Sequence, residues 1–320
     1  MSIAVIGAGA FGAALAITWA EAGHDVTLWG RNADTMSTMQ KTREIPRLSD
    51  AVLPQNITCS ASLDTVFAHD IIALALPAQA MRPFLETHKN ALTGKSLIAC
   101  CKGIDLTTMT GPVTTIRQIV PSANAAMLTG PSFAADIANG LPTALTLATP
   151  DDTIGANLQS LLATPTLRVY RTTDTIGAEL GGALKNVMAI ACGVAIGAGL
   201  GDSARAALMT RGFSEMLTLA DRLGADRATL GGLSGFGDLV LTCTSTQSRN
   251  FRFGQSLAGA TDFDKTTTVE GAATAKSVTK LAKTLDLDLP ICTVVADLID
   301  EKTDVSGALE ALMARPLKEE

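Results

Sequence analysis

A lysine and an asparagine stand side by side in a run of otherwise apolar and small residues, Gly181-Gly182-Ala183-Leu184-Lys185-Asn186-Val187-Met188-Ala189. A charged side chain in such a helical run is costly to bury unless it has a task or a partner. Burial moves a lysine toward the range where it exchanges protons near neutrality. The other course is for its stem to lie along the helix and carry the ammonium to water. A candidate partner is Asp238, set among apolar neighbours in Leu233-Ser234-Gly235-Phe236-Gly237-Asp238-Leu239, with Thr242 one helical turn further on. Close behind comes Ser248-Arg249-Asn250, whose donors suit a phosphate. Read blandly, this is a capped helix with a surface arginine. The glycines of the stretch point to backbone approaching something closely. The only histidines are His24, His69 and His88, so an acid or base in the second half must be Lys, Asp, Glu, Tyr or Cys.

The first half carries a different kind of motif. Gly7-Ala8-Gly9-Ala10-Phe11-Gly12 follows the apolar run of residues 2–6 and opens a helical pattern from Phe11 to Ala22. Gly7 permits the tight turn, Gly9 lets backbone approach a pyrophosphate, and Gly12 allows close packing of strand on helix. The helix N-terminus attracts the phosphate charge. In this context the pattern predicts dinucleotide binding. The next strand, Asp25 to Trp29, ends in Gly30-Arg31-Asn32, with no acid to bind the ribose hydroxyls of NAD. Arg31 suits the 2′-phosphate of NADP, or it is a solvated surface charge. NADP(H) is favoured and NAD(H) remains possible. Further strands end in Leu74-Ala75-Leu76-Pro77-Ala78-Gln79, in Cys100-Cys101-Lys102-Gly103 and in Thr129-Gly130-Pro131-Ser132-Phe133-Ala134. All three belong at the carboxyl edge of a sheet, where open α/β folds bind ligands. Val269-Glu270-Gly271 begins a helix that could reach the cofactor.

Elements that would place these residues can be read from the pattern. The apolar runs Ile71–Leu76, Ser96–Cys101, Ala125–Leu128, Ala144–Ala148 and Leu167–Tyr170 predict strands covered on both faces. Beyond about Ile176 strand-like runs vanish and helical patterns follow over Ala178–Gly193, Ala204–Leu223, Val269–Leu285 and Val294–Lys302. The chain of 320 residues therefore reads as an α/β domain, 1–180, followed by an all-helical domain, 181–320. Residues 1–180 hold 11 Lys/Arg against 14 Asp/Glu, and 181–320 hold 14 against 17, so neither part is a basic nucleic-acid binder. The longest apolar run, Val187–Leu200, is too short for a membrane span and reads as a buried helix. The opening residues MSIAVIGAG, with no basic stretch and no cleavage-type site, do not read as a signal peptide. The cysteines at 59, 100, 101, 192, 243 and 292 lack CxxC spacing and read as core residues of a reducing compartment, with no metal site.

Taken in order, GAGAFG, LALPAQAMR, CKGI, LTGPSFA, GALKNVMAIACG, GLSGFGDLVLTCTSTQSRN and VEG resemble the bacterial NAD(P)-dependent glycerol-3-phosphate dehydrogenases over nearly the whole chain. The resemblance implies a Rossmann-type, doubly wound, mainly parallel sheet, then a helical domain, with the active site between them. It implies hydride exchange between NAD(P)H and C2 of dihydroxyacetone phosphate, supplying glycerol 3-phosphate for phospholipid synthesis. Lys185 would be the proton-transfer residue, oriented by Asp238, with Asn186 and Thr242 completing the polar shell. Lys102, Gly130, Ser132, Lys185, Asp238, Ser248, Arg249 and Asn250 would touch the substrate. Gly7, Gly9, Ala10, Phe11, Gly12, Arg31, Lys102, Ala134, Arg249 and Glu270 would touch the cofactor. A cytoplasmic homodimer acting on a small phosphorylated triose is expected, with no nucleic acid and no integral membrane segment. Ala10-Phe11 replaces the family's commoner Ser-Trp or Ser-Tyr, and Ser234 stands where Ala is usual. A reductase of unphosphorylated acids is the rival enzyme, against which Ser248-Arg249-Asn250 counts. A non-catalytic NADP sensor is the rival outside enzymes, and it would not need Lys185 and Asp238.

Overall fold

The structure, a computed structural model, describes residues 2–264 and 267–316. The chain divides into two compact units, Met1–Asp105 with Thr110–Glu179, and Leu106–Met109 with Leu180–Glu320.

The first unit alternates strand and helix: β1 (Ser2–Ile6), α1 (Ala10–Glu21), β2 (Asp25–Trp29), α2 (Ala33–Thr42), β3 (Ile57–Ser60), α3 (Leu63–Phe67), β4 (Ile71–Leu74), α4 (Ala78–His88), β5 (Ser96–Ala99), α5 (Pro112–Ile119), β6 (Asn124–Thr129), α6 (Ala134–Ala138), β7 (Thr143–Ala148), α7 (Asp152–Leu162) and β8 (Leu167–Thr172). The strands form one sheet in the order β3-β2-β1-β4-β5-β6-β7-β8. Strands β1 to β6 are parallel, β7 pairs antiparallel with β6, and β8 runs parallel to β7. Successive residues of each strand serve opposite faces. Ile3 and Val5 join a core with Val26, Leu28, Ala73, Ile98 and the buried side of α1. Ala4 and Ile6 join the opposite core with Ile72, Leu74, Leu97, Met81 and Ile116. Both faces are thus buried, which is why the strands read as unbroken apolar runs. The order of the strands reverses at β1, with β2 on one side and β4 on the other. That switch point opens a crevice at the carboxyl ends of the strands.

Helix α8 (Thr175–Gly197) opens in the first unit and continues through the second. The second unit then adds α9 (Gly201–Leu223), α10 (Arg227–Gly231), a π-helical turn (Leu233–Gly237), α11 (Asp238–Thr244), α12 (Arg249–Leu257), α13 (Glu270–Thr284), α14 (Pro290–Ile299) and α15 (Val305–Met313). By length and composition α8 is long and apolar enough to cross a membrane, but 89% of its apolar window is buried inside the protein. It is a core helix. Small residues let its neighbours come close. A Cβ on Gly193 would lie 2.0 Å from the Phe251 carbonyl, and one on Gly254 would lie 2.1 Å from that of Ile190. This backbone-level crossing fixes α12 against α8, and so fixes Arg249 and Asn250 relative to Lys185 and Asn186.

Candidate active site

In the first unit, the residues singled out from the sequence collect at the carboxyl edge of the sheet. Gly7 leaves β1 with φ +116°, and a Cβ there would lie 2.3 Å from the Ala75 carbonyl at the end of β4. A Cβ on Gly12 would lie 2.0 Å from the Gly7 carbonyl, so α1 sits directly on the loop. At Gly9 an added Cβ meets nothing within 4 Å. Gly9 is also the N-cap of α1 and offers no capping side chain. The result is a bare backbone cradle with helix amides above it, a shape and polarity that fit a pyrophosphate. Ala10 and Phe11 are the first two residues of that helix, and α6, which Ala134 begins, packs against it. At the end of β2, Asn32 caps α2 by accepting from the Thr35 amide at 2.8 Å, while Arg31 is exposed. Lys102, beyond β5, donates from Nζ to the Gly130 carbonyl at 2.8 Å. Ser132 donates to the same oxygen at 3.2 Å. Gly130 takes φ +136°, so this shared acceptor rests on a conformation natural to glycine. One carbonyl therefore gathers Lys102, Gly130 and Ser132.

In the second unit, the lysine is buried and paired. Lys185 donates to Asp238 Oδ1 at 2.9 Å and to Thr242 Oγ1 at 2.7 Å. The Thr242 hydroxyl in turn donates to Asp238 Oδ1 at 3.3 Å. Lys185 is 7% exposed, Asp238 1% and Thr242 3%, which settles against the snorkelling alternative. Asp238 begins α11 and Thr242 follows one turn later, so both face α8. The π turn before Asp238 delivers it there. Gly181 of α8 makes this possible, since a Cβ would lie 2.4 Å from the Ser234 carbonyl. Ser234 donates to the Thr229 carbonyl at 3.3 Å, a local use for its hydroxyl. The Cys243 thiol lies next to this trio and within hydrogen-bond reach of Cys192. Burial raises it well above its ordinary value, so it stays protonated there.

The Ser248-Arg249-Asn250 cluster divides. Ser248 is the N-cap of α12, its oxygen accepting from the Phe251 amide at 3.2 Å. Asn250 donates to Asn186 Oδ1 at 2.9 Å and accepts from the Gly271 amide at 3.0 Å. Arg249, between them, is exposed on the first turn of α12. Asn186 also donates to the Gly182 carbonyl at 3.4 Å. Glu270 is the first residue of α13. Among the described residues no group of three or more His, Cys, Asp or Glu gathers as a metal site.

Two buried carboxylates are not among the residues that the sequence singles out. Glu179 accepts from the Val113 amide at 2.5 Å, at the start of α5. Glu215 accepts from the Ile291 and Cys292 amides at 2.6 and 3.2 Å, at the start of α14. Burial pushes each up to about 7. Both helices open with proline and have no capping side chain of their own. That is the one local signal that a remote acceptor is required.

Comparison with known proteins bears on both parts of the chain. The family model described as NAD-dependent glycerol-3-phosphate dehydrogenase N-terminus matches residues 2–154, and its C-terminal counterpart matches residues 174–310. A protein of Ruegeria sp. (strain TM1040) named glycerol-3-phosphate dehydrogenase (NAD(P)+) is 56% identical over 321 residues, covering 100% of both chains. One of the same name from Paracoccus denitrificans (strain Pd 1222) is 55% identical, again over 100% of both. The crystal structure of glycerol-3-phosphate dehydrogenase from Coxiella burnetii matches with a TM-score of 0.93 at 33% identity, covering 98% of this chain and 99% of that one.

Proposed function

Because this chain belongs to the NAD-dependent glycerol-3-phosphate dehydrogenase family, we propose that the buried trio of Lys185, Asp238 and Thr242 is its proton-transfer apparatus. The reaction is the interconversion of dihydroxyacetone phosphate and sn-glycerol 3-phosphate with NAD(P)(H). When bound, the nicotinamide supplies the hydride that reaches C2 of the ketone. Negative charge then grows on the carbonyl oxygen. The Lys185 ammonium stabilises that charge and gives up one N–H proton to it, leaving a neutral amine that solvent reprotonates. Asp238 and Thr242 hold Nζ at 2.9 and 2.7 Å, so the ammonium needs no reorganisation as charge develops. This buried, fully oriented lysine is the observation that carries the reading. A cofactor-binding sensor would have no use for it.

The remaining site residues take roles consistent with their places. The Gly7-Gly9-Gly12 cradle, Ala10, Phe11 and Ala134 hold the dinucleotide, Arg31 is assigned to the 2′-phosphate, and Glu270 of the second unit is also assigned to the cofactor. Lys102, Gly130 and Ser132 in the first unit, and Ser248, Arg249 and Asn250 in the second, are assigned to the substrate. Arg249 and the first amides of α12 offer positive charge and donors to the phosphate. Six free thiols suit a reducing compartment, which supports action in the cytoplasm. The family assignment adds a homodimer that supplies glycerol 3-phosphate for phospholipid synthesis. The test is oxidation of NADPH and of NADH with dihydroxyacetone phosphate. The expected result is turnover with both and a higher kcat/KM for NADPH, a ratio that narrows in Arg31→Asp. Cofactor binding without turnover sinks the catalytic reading, and an unchanged ratio in Arg31→Asp removes Arg31 from cofactor choice.

A further inference from the structure

We infer that Asn250 is a positioning residue: it caps α13 from a distance and thereby sets Glu270 for the cofactor, coupling the segment that reads the substrate phosphate to cofactor affinity. The inference rests on the assignment of Glu270 to the cofactor made above.

The need for a cap is written into the sequence of α13. The amides of a helix's first turn have no partner inside the helix. An N-cap Ser, Thr, Asp or Asn normally accepts from the second or third of them. The N-cap of α13 is Val269, which has no side-chain acceptor. Asn250, 21 residues earlier in the chain, accepts from the second amide of the helix, that of Gly271, at 3.0 Å. Its other end is equally committed, since Nδ2 donates to Asn186 Oδ1 at 2.9 Å. The two bonds fix the amide's orientation. Turned end for end, its NH2 would face the Gly271 N–H, donor against donor.

The junction is also sterically closed. A Cβ on Gly271 would lie 2.7 Å from the Asn186 carbonyl oxygen and 2.7 Å from Asn250 Oδ1. Helices α8, α12 and α13 therefore meet about one side-chain amide. On each helix the neighbouring residue belongs to the proposed chemistry: Lys185 precedes Asn186, Arg249 precedes Asn250, and Glu270 precedes Gly271. Asn250 works through this junction.

The test reads NADPH binding in the absence of substrate, where contact with the substrate phosphate cannot matter. Asn250→Ala should weaken binary NADPH affinity by about two- to thirtyfold, the range for loss of a helix cap. Asn250→Asp, which keeps an acceptor for the Gly271 amide, should lose less. Wild-type NADPH affinity in Asn250→Ala, with only the KM for dihydroxyacetone phosphate raised, would overturn the inference. Glu270→Ala separates it from the reading beneath. Unchanged NADPH affinity there removes Glu270 as a cofactor contact, and the coupling with it. A weakened Glu270→Ala beside a normal Asn250→Ala overturns the coupling alone. Amide hydrogen exchange on the wild-type enzyme needs no variant to fold. The Gly271 amide should exchange slowly, and exchange at the rate of an open amide would also overturn the cap.

Discussion

Lys185 donates to Asp238 and to Thr242, and none of the three side chains reaches solvent appreciably. Such an arrangement acts as a unit. Replacing Lys185 by Ala should lower kcat by about 10²–10⁴-fold, the usual span for losing a general acid, with little change in NADPH affinity. That variant also strands the Asp238 carboxylate, and an uncompensated buried charge destabilises the fold. A double variant, Lys185→Ala with Asp238→Asn, relieves the stranded charge. It should therefore melt higher than the single variant while turning over no more slowly, within about threefold, because Asp238 acts through Lys185. Multiplied losses in the double variant would show that Asp238 has a separate part in the reaction. Lysine and candidate partner are legible in the sequence, because a charge in an apolar helix either finds a partner or reaches water, and burial of Lys185 decides between the two. The division of labour in Ser248-Arg249-Asn250 is not. Three adjacent donors read as one phosphate site, and the bond from Asn250 to Asn186 spans 64 residues, which no local pattern reports.

The elements show the same contrast. Strands β1, β2 and β4 to β7 announce themselves as apolar runs because both faces of the sheet are covered there. Strand β8, at one edge, buries only Leu167 and Val169 and exposes Arg168, Tyr170 and Arg171, against the expectation of a strand covered on both faces. Strand β3 does not announce itself: Ile57-Thr58-Cys59-Ser60 lies at the sheet's other edge with only Ile57 fully buried, so it has little apolar pattern to show. The π turn is visible only as a density of glycine. Helices α5 and α14 are cut cleanly by Pro112 and Pro290, but the acceptors for their first amides come from Glu179 and Glu215, 66 and 76 residues away. These two carboxylates give stability a pH dependence whose sign is fixed by their raised values of about 7. Below about pH 4.5 each is protonated in both the folded and the unfolded chain. Between about 4.5 and 7 the unfolded chain loses its protons while the folded chain keeps them, so the glutamates' contribution to stability falls as pH rises and levels off above. Glu215→Gln removes one titration and should flatten the fall, by up to about 2 kcal/mol between pH 5 and 7.5. Urea unfolding at those two pH values measures it. A slope identical to wild type would mean Glu215 titrates alike in both states.

At the scale of the whole molecule the problem is charge. The protein carries a net −6 and must hold a dianionic triose phosphate together with an anionic dinucleotide. Its long-range field does not help, so attraction has to come from a few cations and backbone amides concentrated where the anions lie. Arg31 and Lys102 in the first unit and Arg249 in the second are the cations we assign to this task, together with the amides that open α1 and α12. The phosphate group then does more than raise affinity. Binding energy from a remote group can serve to position the reacting carbonyl, so losing it should lower kcat as well as raise KM. Dihydroxyacetone keeps the carbonyl and lacks the anchor, and its kcat/KM should fall by several orders of magnitude. Arg249→Ala should then cost the phosphorylated substrate about 10²-fold or more in kcat/KM, in the range of a charge-assisted bidentate contact, and the unphosphorylated one far less. Because Arg249 is also assigned to the cofactor and adjoins Asn250, both substrates must be compared at saturating NADPH. Equal proportional losses under that condition would show that Arg249 does not read the phosphate, and would return the anchor to Lys102 and the amides of α12.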